Sequence, residues 1–109
     1  MPEHAIQQRL CRLDELAPGS ARRFDVGAHR IAVVRIDDDV YAIGDTCSHQ
    51  NVSLAEGEVD PDDRTIECWK HGSTFSLETG EALILPATRP VPVYDVRVDG
   101  GAIVVVLDD

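Results

Sequence analysis

Three features of the 109-residue chain predict an all-β fold: short runs rich in Val and Ile, turn residues between them, and no stretch with apolar residues at helical spacing. No segment repeats and none is of low complexity. Strands are expected over residues 6–13, 22–26, 30–36, 40–44, 65–68, 74–77, 92–98 and 102–107.

Each run has its own justification. Residues 6–13 carry Cys11 as a small buried apolar side chain. His4 and His29 have no Cys at ligand spacing and are expected to face solvent. Asp37-Asp38-Asp39 separates two apolar runs as a hairpin turn does, and Glu78-Thr79-Gly80-Glu81 does the same later in the chain. In 92–98 the alternation of Tyr94, Val96 and Val98 gives a strand whose faces differ, and Pro92 places an irregularity at its start or on an edge. Asp99-Gly100-Gly101 turns this strand into the last one. Gly44 and Gly57 are expected to serve turns.

The bulk numbers narrow the function. This length fits one domain, residues 1–109, that buries roughly 60–70% of its unfolded surface. No apolar run approaches the roughly 20 residues of a membrane helix, and the N-terminal residues lack the apolar core of a secretory signal, so the expectation is a cytoplasmic protein with no membrane contact. Twenty acidic residues against ten basic ones, a formal charge of −10, argue against nucleic acid or anionic lipid as a partner. A docking partner should be basic, although acidity also simply keeps a small protein soluble.

Three cysteines cannot all pair within one chain, and two stand beside histidines: Cys47-Ser48-His49 and, eighteen residues later, Cys68-Trp69-Lys70-His71. Both clusters fall in segments that read as loops at strand ends, 45–53 and 69–73, where a rigid scaffold can hold them. Two thiolates and two imidazoles are the ligand set of a [2Fe-2S] centre in which two His replace two Cys on one iron. The same four residues would also satisfy a structural zinc, and the plainest alternative is core cysteines with surface histidines. A single residue between Cys47 and His49 is short for chelating one metal. It suits Cys47 and Cys68 on an inner iron with His49 and His71 on an outer one. Two ferric ions, two sulfides and two thiolates sum to zero charge, so neutral imidazoles make an added electron easier to accept.

Glu67-Cys68-Trp69-Lys70-His71-Gly72-Ser73-Thr74-Phe75-Ser76-Leu77-Glu78-Thr79-Gly80, with Leu85-Pro86-Ala87-Thr88-Arg89-Pro90-Val91-Pro92-Val93-Tyr94 after it, resembles the small soluble Rieske ferredoxins. The resemblance covers nearly the whole chain. It implies two antiparallel β-sheets forming a sandwich or barrel-like base, and a small cluster-binding subdomain over about 45–90, in which two ligand loops are covered by a proline-containing loop, 85–92. It further implies a [2Fe-2S] cluster on Cys47, His49, Cys68 and His71, and a monomeric carrier that passes one electron from a flavin-dependent reductase to a terminal oxygenase. The sequence around Cys68 and Pro86 is also similar to ferredoxins found beside iron-sulfur cluster assembly genes. In that setting the protein would sense redox state or assist assembly.

The departures matter too. Respiratory Rieske proteins carry a disulfide between their ligand loops, and Val52 and Lys70 stand in its place here. Ser73 matches a serine that donates to sulfur in high-potential members, whereas Phe75 replaces the tyrosine donor. The potential should therefore lie toward the lower part of the Rieske range of about −150 to +300 mV. The eighteen-residue spacing is slightly long, with the excess expected in the turn Asp60-Pro61-Asp62-Asp63. Trp69 is expected to pack or to shield the cluster, Gly72 to let backbone pass close to the sulfides, and Lys70 to be solvated or a docking cation. A Rieske oxygenase also needs a mononuclear iron held by two His and one carboxylate. Only His4 and His29 remain for it, so no catalysis is expected within the chain.

Overall fold

A computed structural model of the chain describes residues 5–48, 51–70 and 72–108. Among the described residues, ten antiparallel strands form two sheets. The larger contains β1 (Ala5–Arg12), β2 (Ala21–Val26), β3 (His29–Ile36), β4 (Asp39–Gly44), β9 (Val93–Asp99) and β10 (Ala102–Asp108), in the order β1-β10-β9-β4-β3-β2. The smaller contains β5 (Glu58–Asp60), β6 (Thr65–Glu67), β7 (Thr74–Ser76) and β8 (Ala82–Ile84), in that order. Single 3-10 turns follow β1 (Leu13–Glu15) and precede β5 (Leu54–Glu56). No helix among the described residues is long and apolar enough to cross a membrane.

The turns form for local reasons. Asp99 pairs with Ala102, and Gly100 and Gly101 between them both have positive φ (58° and 80°), the geometry a two-residue hairpin needs to match strand twist. Between β3 and β4, Asp37 takes φ 53° while Ile36 pairs with Asp39. The Asp60 carboxylate accepts the amides of Asp62 and Asp63 at 3.1 and 3.2 Å, closing the β5–β6 turn.

The large sheet curls toward a barrel. Its two end strands, β1 and β2, meet around a shallow hollow lined by Gln8, Arg9, Leu10, Phe24, Asp25 and Val26. Inside the curl lie Cys11, Leu16, Ile31, Val33, Ala42, Ile103, Val105 and Leu107. The opposite faces of β3 and β4 supply Ala32, Val34, Ile36 and Ile43 to a second core shared with Ile66, Phe75 and Leu77 of the small-sheet region. Alternate residues of β3 thus serve two cores, which is why Ile31-Ala32-Val33-Val34 is an unbroken apolar run.

The eight expected strands are present with ends shifted by a residue or so, and β5 and β8 are additional. Glu-Val-Asp of β5 has a single apolar residue, and Leu83 and Ile84 of β8 are exposed, so neither carries a burial pattern that the sequence could reveal. His29 is not simply solvated: it is half-buried, with Nδ1 3.4 Å from the Tyr94 hydroxyl and its ring edge-on to the Tyr94 ring. Gly57 ends the 3-10 turn, its amide donating to the Leu54 carbonyl at 2.9 Å, whereas Gly44 closes β4 and serves no turn. A Cβ at Gly44 would stand 2.7 Å from Cδ of Pro92, and one at Gly57 would stand 1.9 Å from the carbonyl oxygen of Glu67. Close backbone passage explains both.

Two arginines brace the base. Arg35 donates to the carbonyls of Leu13 and Leu16 at 3.0 and 2.9 Å and to that of Asp37 at 2.6 Å, tying the β1–β2 connection to the β3–β4 turn. Arg35→Ala is expected to cost about 1.5–3 kcal/mol in urea denaturation, because it strands carbonyls that a charged donor now satisfies. Arg64, ahead of β6, reaches Asp39 and the Tyr41 hydroxyl and lies over the Tyr41 ring, linking the small sheet to β4.

Candidate metal centre

The first ligand loop leaves the buried end of β4. Asp45 and Cys47 are buried, the amide of Cys47 donates to Val52 at 3.0 Å, and Thr46 bridges Ser53, so the chain doubles back tightly. The second loop joins β6 to β7. Glu67 pairs with Thr74, the amide of Cys68 donates to Ser73 at 2.6 Å, and Gly72 donates back to Cys68 at 3.0 Å. Gly72 has φ 78°, a conformation that a side chain would strain, which is reason enough for glycine there.

A third loop, between β8 and β9, ties both together. The Ser48 hydroxyl donates to the carbonyl of Arg89 at 2.6 Å, and the amide of Ala87 donates to the Ser73 hydroxyl at 3.0 Å. Ala87 and Val91 are buried against the ligand loops, as the expected covering loop requires. The Leu85–Pro86 peptide bond is cis.

Cys47 and Cys68 come together in one apolar cluster with Leu54, Ile66, Phe75, Ala87 and Val91. Neither forms a disulfide, and their loops turn outward beyond them: Ser48, Asn51, Trp69 and Lys70 are exposed. His49 and His71, like His4, lie outside the described residues. Cys11 is far from this in function. It sits in the barrel core, where burial pushes its thiol pKa up and keeps it protonated, unlike a ligand.

Two buried thiols on separately anchored loops, beside two imidazole-bearing positions, fit an iron-sulfur cluster as a donor set. Thiolates left in that apolar setting without a metal would be costly. Ser73 is 1% exposed, and because its oxygen accepts from Ala87 its own proton is available to donate. Phe75 is fully buried and offers no donor, and Val52 packs against the core where a second cysteine could have stood.

Of the two expectations for Trp69, core packing is not met. At 56% exposed it is not packed in the core but borders an open hollow with Glu56, Glu58 and Glu67. Asp45 is the most buried carboxylate among the described residues, yet nothing in Gly44-Asp45-Thr46-Cys47 marks it out in sequence from the chain's many other acids. Gly57 also braces the loops, its backbone lying against the Glu67 carbonyl, which its place at a turn does not reveal in sequence. Gly57→Ala drives a methyl into the Glu67 carbonyl beside Cys68, and it is expected to lower thermal stability by about 1–3 kcal/mol and reduce iron content per chain.

Comparison with known proteins agrees with this geometry. The chain is 42% identical over 99 residues to the 3-phenylpropionate/cinnamic acid dioxygenase ferredoxin subunit of Escherichia coli K12, spanning 91% of this chain and 92% of that protein. Its fold superposes on the ferredoxin of carbazole 1,9a-dioxygenase from Nocardioides aromaticivorans with a TM-score of 0.88, at 41% identity, over 91% of this chain and 95% of that one. A ferredoxin solved in complex with the oxygenase of carbazole 1,9a-dioxygenase matches at a TM-score of 0.85 and 40% identity, over 92% of each chain. Residues 7–95 match the Rieske [2Fe-2S] domain family, so the match takes in both Cys-bearing loops, the whole small sheet and most of the large one, and ends before β10. By sequence and by fold, then, this chain belongs to the Rieske [2Fe-2S] domain family, whose cofactor is a [2Fe-2S] cluster.

Proposed function

We propose that the protein is a one-electron carrier, the ferredoxin component of a multicomponent dioxygenase, taking electrons from a flavin-dependent reductase and delivering them to the terminal oxygenase. The observation that carries this reading is the 42% identity to a dioxygenase ferredoxin subunit over nearly the whole of both chains. The chain is then a single domain, residues 1–109, with 45–90 as the cluster-binding part, acting as a cytoplasmic monomer and not itself catalytic.

The cluster supplies a reversible one-electron site. Cys47 and Cys68 are the thiolate ligands of one iron, His49 and His71 the imidazole ligands of the other. The rest of the chain holds these four in place and keeps water from the thiolates. Supporting this division, the cysteines are 3% and 1% exposed, while Ser48 and Lys70, each next to a histidine in sequence, are exposed. Exposed Trp69 and Leu85 near the second ligand loop and the covering loop support docking at the same end of the molecule.

Reconstitution tests the reading. Reductase and oxygenase components encoded beside this protein should turn over an aromatic substrate only when it is added. Failure with those neighbours, while the cluster cycles normally, would favour the sensing or assembly role. With a surface of net charge −10, transfer to a basic partner is expected to slow several-fold as salt rises from about 0.05 to 0.5 M, measured by stopped flow. A salt-independent rate would remove the role given to the acidic surface.

A further inference from the structure

We infer that Asp45 is a positioning residue of the cluster site and that its buried charge holds the reduction potential down; the inference rests on the electron-carrier reading above. Asp45 is 1% exposed and stands two residues before Cys47. Its Oδ1 accepts the Ser53 hydroxyl at 2.8 Å and the Ala55 amide at 3.0 Å. Its main chain is engaged as well, the carbonyl accepting from Leu54 at 2.6 Å and the amide donating to Arg30 at 2.9 Å. One residue thus closes the loop from 45 to 55, inside which the first Cys and His ligands lie, and fixes that loop to β3.

The charge has a partner outside the loop. Nε of Arg23, on β2, is 3.7 Å from Oδ2 of Asp45 and 2.9 Å from Oδ1 of Asp25. The guanidinium is therefore shared between a carboxylate sealed in the protein and one whose side chain is 59% exposed. Water and salt screen the exposed carboxylate, whereas the buried one acts through a low dielectric. Adding an electron to a centre beside a fixed negative charge is opposed. A hydrogen bond network needing only an acceptor at this position could have used asparagine; a buried aspartate adds the charge.

The test separates holding the loop from charge, on the cluster-loaded protein. Asp45→Asn keeps an oxygen acceptor and removes the charge, so iron content and the urea midpoint should stay near wild type while the potential, from redox titration followed by circular dichroism, shifts upward. Asp25→Asn removes an equal charge from the exposed side of the same arginine and should shift it much less. Asp45→Ala removes both functions and should lose cluster severalfold faster, with a broadened electron paramagnetic resonance spectrum. If that variant does not fold, Ser53→Ala, which deletes one donor, decides the positioning role by the same loss rate. An unmoved potential in Asp45→Asn, or an equal shift in Asp25→Asn, overturns the role of the charge. Wild-type cluster retention in Asp45→Ala, or in Ser53→Ala where that substitutes for it, overturns the positioning role. A wild-type protein that takes up no iron and sulfide would instead overturn the carrier reading itself.

Discussion

Cys68→Ser is expected to give a protein without the visible absorption of an iron-sulfur cluster and with much of its stability lost. Cys68 is 1% exposed, held by hydrogen bonds within the tight β6–β7 loop, and surrounded by Ile66, Phe75, Leu77 and Ala87. A serine hydroxyl is a poor iron ligand, and in the apolar cluster it also buries a polar group. Under the proposed ligand set, ligation would link two loops that are otherwise joined by hydrogen bonds and packing, so binding energy lost would be folding energy lost. Iron and sulfide per chain, the visible spectrum and the urea midpoint check this. Cys11→Ser is the natural control, since Cys11 lies in the other core and that variant should keep its full cluster content. A coloured Cys68→Ser protein with unchanged iron would remove Cys68 from the ligand set.

Phe75→Ala carries the second large effect, about 3–5 kcal/mol of stability. Phe75 is fully buried on β7, paired with Ile66 across the small sheet, and belongs to the same packed cluster as Cys47, Cys68, Leu54 and Val34. It fills the space where the outer face of β3, the small sheet and both ligand loops converge. Removing the ring leaves a cavity that the anchored loops cannot close, so cluster loss on standing should accelerate together with the fall in the denaturation midpoint. A cost below about 1 kcal/mol would mean that this core collapses freely around the gap, and that the loops are not held by it.

Much of this architecture is legible in residue order. Strands with strong apolar runs, such as 30–36 and 102–107, declare themselves because burial on one or both faces demands β-branched residues at consecutive or alternate positions. The hairpins at Asp37-Asp38 and Gly100-Gly101 are legible because only a few residue types tolerate positive φ. The paired Cys-x-His and Cys-x-x-His clusters are legible because ligation restricts residue type more severely than packing does.

Other features have no such signature. β5 and β8 exist because β6 and β7 offer open edges beside them, and their own side chains are mostly exposed. Gly57 looks like any turn glycine until the Glu67 carbonyl is found against it. His29 pairs with Tyr94, 65 positions away, which no local pattern encodes.

By itself the sequence determined the β class and the family and singled out the candidate ligand set, since each depends on residue types at short, regular spacings. Tertiary structure decided which face of β3 serves which core, how three loops from different parts of the chain clamp two buried thiols, and that Asp45, two residues before the first of them, is sealed from solvent. The physical reason is range. Periodicity and ligand spacing are local properties of the chain, whereas close packing, desolvation of a charge and cross-loop hydrogen bonds arise only when distant segments meet.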